Sequence, residues 1–153
     1  MIIRINNRQK KFRIKPKTIK KLCENVLSAQ GEPDNVELDL TIVNDRRMVV
    51  MNKQFLNHSR TTDVISFPQR DKGDPSTEIL GDIIVCAERA KKQSEFFGTT
   101  FNQEFGLYII HGILHILGYD DQKEPEKKIM EKQQLLWFNE FVKKNEPIFI
   151  SIG

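Results

Sequence analysis

Apolar residues open the chain at Ile2, Ile3 and Ile5 and return at Phe12 and Ile14, a spacing that predicts one or two short strands. Pro16 suits a first helical turn. Ile19, Leu22, Cys23, Val26 and Leu27 then recur at helical spacing until Gly31 and Pro33 stop the helix. From Val36 to Ile42 the run V-E-L-D-L-T-I alternates apolar with polar, the period of a half-buried strand. Asn44 is placed to cap a helix reaching Phe55 or Leu56. Asp63 to Phe67 is short, β-branched and closed by Pro68, so it reads as a strand, and Gln69–Thr77 reads as a surface loop. Ile79–Cys86 is more continuously apolar, as expected of a central strand.

The second half reads as helical. Ala87–Phe97 ends at Gly98, suited to a C-cap. Thr99, Thr100 or Asn102 caps the next helix, which carries Phe105, Leu107, Ile109, Ile110, Ile113, Leu114 and Leu117 before Gly118 ends it. Apolar nearly all round, that helix must be buried. A last amphipathic helix begins near Pro125 and carries Ile129, Leu135, Leu136, Trp137, Phe141 and Val142. The helical spacing of Phe96, Phe97, Trp137 and Phe138 favours core over base stacking. Strands mixed with helices, without regular βαβ alternation, predict an α+β fold: a small mixed sheet packed against several helices.

Composition adds bounds. The 153 residues, 39% hydrophobic and 29% charged, suit one globular domain over residues 1–153. No apolar run approaches the roughly 18 residues that span a bilayer. The first fifteen residues lack the apolar core and cleavage site of a secretory signal, so a cytoplasmic protein without a membrane partner is expected. Cys23 and Cys86 show no ligand spacing and read as reduced, partly buried thiols. The net charge of +3 hides an asymmetry. Residues 1–23 carry nine basic side chains and no acidic one, whereas the other 130 carry 15 basic against 21 acidic. Such a lobe, with Arg13 and Lys15 within it, is what a phosphate backbone selects; its alternative is a solvated helix face beside a strand.

The chemistry concentrates at His111 and His115, two of only three histidines. A spacing of four puts both rings on one face of the buried helix, one turn apart. Gly118 lets the chain double back, so Asp121 can approach the same point. Two imidazoles and a carboxylate are three ligands for a borderline metal and leave a fourth position for water. Two unpartnered histidines on an apolar helix would otherwise cost free energy. Asp120 is placed to orient the loop or a ligand from behind. Asp63 and Ser66 could reach the same cleft from their strand, although a strand-end Asp is usually a turn or cap residue. A zinc protease of the HExxH type needs a glutamate beside the first histidine as general base, and that position is Gly112.

The segment His111-Gly112-Ile113-Leu114-His115-Ile116-Leu117-Gly118-Tyr119-Asp120-Asp121 resembles the signature HGxLHLxGYDH of the YbeY-type bacterial rRNA-maturation endoribonucleases. Thr62-Asp63-Val64-Ile65-Ser66-Phe67-Pro68 is similar to the family's TDVLSFP strand, and Leu80-Gly81-Asp82-Ile83 to its LGDI strand. Glu88, Ala90, Gln93 and Gly98 follow its spacing for the next helix. The resemblance covers most of residues 36–137. It implies the family's α+β fold, one bound metal usually taken as zinc, and RNA and ribosomal partners in 16S rRNA maturation and ribosome quality control.

Two departures stand out. The family's third ligand is a histidine where this chain has Asp121, which keeps a legitimate zinc ligand but also suits iron or manganese. In the family's N-x-x-[YF]-R run, here Asn52-Lys53-Gln54-Phe55-Leu56, the arginine position holds Leu56. Arg60 or His58, on the adjacent loop, are candidates to contact phosphate in its stead. The expected function is therefore a metal-dependent endoribonuclease. The alternative, favoured by Leu56, is a ribosome-assembly or RNA-binding factor whose metal only closes the fold.

Overall fold

A computed structural model describes residues 1–56, 64–70, 78–144 and 149–152. Four strands form the main sheet, in the spatial order β1 (Ile2–Asn7), β3 (Glu37–Val43), β5 (Ile79–Cys86) and β4 (Val64–Pro68). The first three run parallel and β4 pairs antiparallel with β5. A separate antiparallel ribbon joins β2 (Phe12–Ile14) to β6 (Ile150–Ile152), with Ile14 opposite Ile150. The helices are α1 (Pro16–Ala29), α2 (Asp45–Met51), α3 (Ala87–Phe97), α4 (Phe101–Ile116) and α5 (Glu126–Phe138).

The alternation in β3 sends its residues to opposite sides of the sheet. Leu38, Leu40 and Ile42 join Ile83 and Val85 of β5 in the main core beneath α1 and α4. On the other side, Val43, Ile65, Ile84 and Cys86 pack with Met48 of α2 in a smaller cluster. The α+β class holds, a mixed sheet against several helices.

Local chemistry explains most boundaries. Arg47 N–H donates to Asn44 Oδ1 at the start of α2, the pairing that satisfies an otherwise orphaned helical donor. The expected helix to Leu56 changes character on the way, since Asn52–Leu56 form a π-helical turn. Gly98 caps α3 in the left-handed region, φ 70°. Thr100 and Gln103 form a reciprocal capping box at the start of α4.

Three expectations change. Only part of the expected α5 stripe is core: Ile129, Leu135 and Leu136 are exposed, whereas Met130 and Val142 are buried and Trp137, Phe138 and Phe141 pack half-buried against the core. Phe96 and Phe97, 81% and 63% exposed, form an edge-on pair at the surface. Cys23 and Cys86 are fully buried free thiols, and burial pushes each up to about 12.

Gly81 governs how closely α4 approaches. Its φ of 150° suits glycine, and a Cβ there would lie 2.3 Å from the carbonyl oxygen of Phe67 and 2.8 Å from Ile116 Cδ1. Gly81→Ala must therefore push β4 or the end of α4 outward. The expected loss is about 1–3 kcal/mol, read as a fall in melting temperature of roughly 2–4 °C per kcal/mol by calorimetry. An unchanged melting temperature would contradict this packing.

Candidate metal centre

α4 is buried along its length by Phe105, Ile109, Ile110, Ile113 and Leu114, all fully buried. That packing fixes its rotation, so His111 and His115 emerge together along the remaining stripe. The helix closes when Gly118 N–H donates to the His115 carbonyl and Tyr119 N–H to that of Leu114. Gly118 supplies the reversal, at φ 101°. Asp120 Oδ1 then accepts from Gln122 N–H at 2.9 Å, shaping the turn.

The reversal brings Asp121 Oδ2 to 3.4 Å from His111 Nε2 and 3.2 Å from His115 Nε2, and the two Nε2 atoms are 3.0 Å apart. Among the described residues these three form the one group of His, Cys, Asp or Glu able to hold a metal ion. A tetrahedral ion with bonds of about 2.0–2.1 Å has ligand atoms roughly 3.3 Å apart. The triangle observed here has that size.

Each ring's other nitrogen is occupied. His115 Nδ1 donates to the Tyr119 carbonyl at 3.1 Å, and His111 Nδ1 donates to Gln134 Oε1 of α5 at 2.6 Å. With both protons on Nδ1, both Nε2 lone pairs converge beside a carboxylate, a donor set that suits a dication. Side-chain exposures of 28%, 26% and 38% leave one flank of the site open. Behind it, Tyr119 Oη donates to Gln30 Oε1 and Gln30 Nε2 donates to Gln133 Oε1, tying α1, the site loop and α5 together.

Gly112 lies where α4 meets the sheet. A Cβ at this position would be 2.8 Å from Ile83 Cγ2 and 3.0 Å from Val64 Cγ2. Ser66 Oγ–H donates to the Gly112 carbonyl at 3.0 Å, so Ser66 is tied to the helix backbone. A protease-type glutamate at position 112 would point into the core.

The other expected contacts lie elsewhere. Arg13 lies within β2, opposite Ser151, and Lys15 follows the strand. Lys15 N–H donates to the Phe149 carbonyl, and Asn102 Oδ1 in the first turn of α4 accepts from Phe149 and Ile150. Nine to thirteen residues of α4 separate Asn102 from the histidines, roughly 14–20 Å of helix. The structure therefore does not bring Arg13 and Lys15 to the centre. His58, Arg60 and Asp63 lie outside the described residues. The sequence reading missed Gln134, Gln133 and Gln30, which reach the site only through the packing of α1 and α5.

The family profile described as Endoribonuclease YbeY matches residues 4–142. The Endoribonuclease YbeY of Geobacter sulfurreducens is 36% identical over 138 residues, 88% of this chain and 91% of that one. That of Bacillus cytotoxicus is 36% identical over 124 residues, 76% of this chain and 80% of its own. That of Staphylococcus carnosus is 40% identical over 109 residues, covering 67% and 71%. The solution structure of a Thermotoga maritima protein superposes with a TM-score of 0.65 at 28% identity, over 94% of this chain and 91% of that one.

Gln134→Leu removes the acceptor for His111 Nδ1 without touching a ligand atom. Zinc affinity, measured by competition with a chromogenic chelator, is expected to fall about 10- to 100-fold, with the far-ultraviolet circular dichroism unchanged. Undiminished affinity would show that Gln134 does not orient the ring.

Proposed function

We propose, from the premise that this chain belongs to the endoribonuclease YbeY family, that it is a metal-dependent endoribonuclease acting in 16S rRNA maturation. The observation that carries the reading is the convergence of His111 Nε2, His115 Nε2 and Asp121 Oδ2, with both Nδ1 protons engaged elsewhere. A zinc-class ion, when bound there, supplies a Lewis acid that lowers the pKa of water to near 7.

The chain's own residues do the rest. His111 and His115 present neutral nitrogen lone pairs, held in that tautomer by Gln134 and the Tyr119 carbonyl. Asp121 adds one negative charge, which compensates a dication more fully than a third imidazole and widens the choice to iron or manganese. Asp120 orders the turn that delivers Asp121. The open flank gives an RNA phosphodiester access. Arg60 and His58 are the candidates for phosphate contact near the centre, because Leu56 stands at the family's arginine position. RNA is thus the substrate, ribosomal components are the expected partners, and the cytoplasm is the expected compartment.

Leu56 also favours a second reading, an RNA-binding or ribosome-assembly factor whose metal closes the fold. Two measurements separate them. Metal content by mass spectrometry should be about one ion per chain for the wild type and much lower for Asp121→Ala, since three protein ligands make the site. Cleavage of a 16S-derived RNA should fall at least about a hundredfold in His115→Ala or after chelation, as the loss of several kcal/mol of transition-state stabilisation requires. Cleavage that survives both treatments, with a lower melting temperature on metal removal, would favour the structural-metal reading.

A further inference from the structure

The basic lobe lies apart from the metal centre, at the other end of α1. Arg8, Lys10, Lys11, Arg13, Lys15, Lys17, Lys20 and Lys21 are all exposed. Arg4 is engaged by Glu37 and Asp39, and Lys11 lies 3.9 Å from Glu88. Among the described residues, the other seven make no ion pair. Lys10, Lys11 and Arg13 line an open hollow with Ile5, Phe12 and Pro16. Beside it, Lys17 and Lys21 line a second groove with Asn25, Phe141 and Phe149, and the Phe141 ring stacks on Trp137 at 5.5 Å. The unpaired Lys10, Arg13, Lys17 and Lys21, lining two adjoining grooves whose Phe12 and Phe149 are buried, are the chemistry that follows a phosphate backbone.

α1 connects this surface to the metal centre. Its C-terminal neighbour Gln30 accepts from Tyr119 Oη in the site loop, while Lys17, Lys20 and Lys21 are on its first two turns. The nine to thirteen residues between them span roughly 14–20 Å, the same distance that α4 gives from Asn102 to the histidines. We propose that the first two turns of α1, with the adjacent β2 edge, form an RNA-backbone docking surface separate from the cleavage centre. A strand held there reaches the metal site after roughly four to six stacked nucleotides at about 3.4 Å each. The inference rests on the RNA-cleaving reading above, and its consequence is a substrate-length requirement. RNA too short to span both sites is bound at one of them only.

The test uses the full chain with Lys17→Gln, Lys20→Gln and Lys21→Gln combined. The comparison variant combines Arg46→Gln, Arg47→Gln and Lys92→Gln, which removes the same charge from the α2–α3 side. Binding of a fluorescein-labelled 20-nucleotide single-stranded RNA is followed by anisotropy across a potassium chloride series, with thermal melts to show that both variants fold. The lysine variant is expected to bind roughly tenfold more weakly near 0.1 M salt, with a log–log salt slope shallower by about two, at about 0.7 per phosphate released. The comparison variant should change little. Cleavage kcat/KM for the 20-mer should fall toward that of a 4-mer, through KM. Equal losses in both variants, or an unchanged slope in the lysine variant, would overturn the docking surface. So would transfer of the effect from RNA to anionic lipid vesicles. The binding arm decides the surface even if the wild type cuts no RNA, an outcome that would count against the proposed function alone.

Discussion

The seating of α4 on the sheet sets every geometric relation in the candidate centre. At Gly112 the helix approaches so closely that a methyl group would meet Ile83 and Val64, and at Gly81 the sheet gives way to Ile116. These two glycines place the helix from opposite sides of the contact, one on the helix and one on the strand. Ser66 adds a hydrogen bond to the Gly112 carbonyl. A helix pinned at positions 112 and 116 holds residues 111 and 115 at fixed orientations. Interiors packed to crystal-like density transmit small displacements, so a methyl added at Gly81, which would meet Ile116 beside His115, would be felt at the histidines.

The acceptors behind the histidines follow from the same seating. His115 uses a backbone carbonyl that exists only because the chain reverses at Gly118, and His111 uses an amide from α5. Both acceptors are neutral, so the one negative charge in the donor set comes from Asp121. Had a carboxylate stood behind either ring, the imidazole would carry more anionic character and the centre would be close to neutral with a dication bound. Neutral acceptors paired with one carboxylate ligand leave the centre close to +1 when a dication is bound. That residual charge is what a phosphodiester oxygen would meet.

Much of this was legible because it is local. Spacing alone places His111 and His115 on one face, and Gly118 announces the turn to Asp121. The alternation of β3 and the caps at Asn44, Gly98 and Thr100 depend on neighbours within a few residues. What stayed hidden depends on distant partners. β6 is three residues long and exists as a strand by pairing with β2, more than a hundred positions earlier. The helical period of α5 was correct, yet period alone does not say which face docks, and Ile129, Leu135 and Leu136 turned outward while Gln134 turned in. The charge of the basic lobe was visible in the sequence. Its distance from the histidines was not, since that is set by α1 lying alongside α4.

The charge pattern also orients an RNA substrate from the side that repels it. On the sheet face away from α4, Asp39 and Asp82 are register partners on adjacent strands, next to Glu37 and opposite Arg4. Arg4 donates to both Glu37 and Asp39, and its guanidinium is thereby held protonated still more firmly. Burial, reinforced by Asp39, raises the Asp82 carboxyl above its ordinary value, although Gln69 Nε2 donates to it. One cation thus faces three carboxylates there, while the cations of α1 and β2 are on the surface that adjoins α4. Spread evenly, a net charge of +3 would attract a phosphate backbone feebly and from every direction. Separated in this way, it repels the backbone from that acidic patch and draws it along α1, the element whose far end is hydrogen-bonded to the loop carrying Asp121.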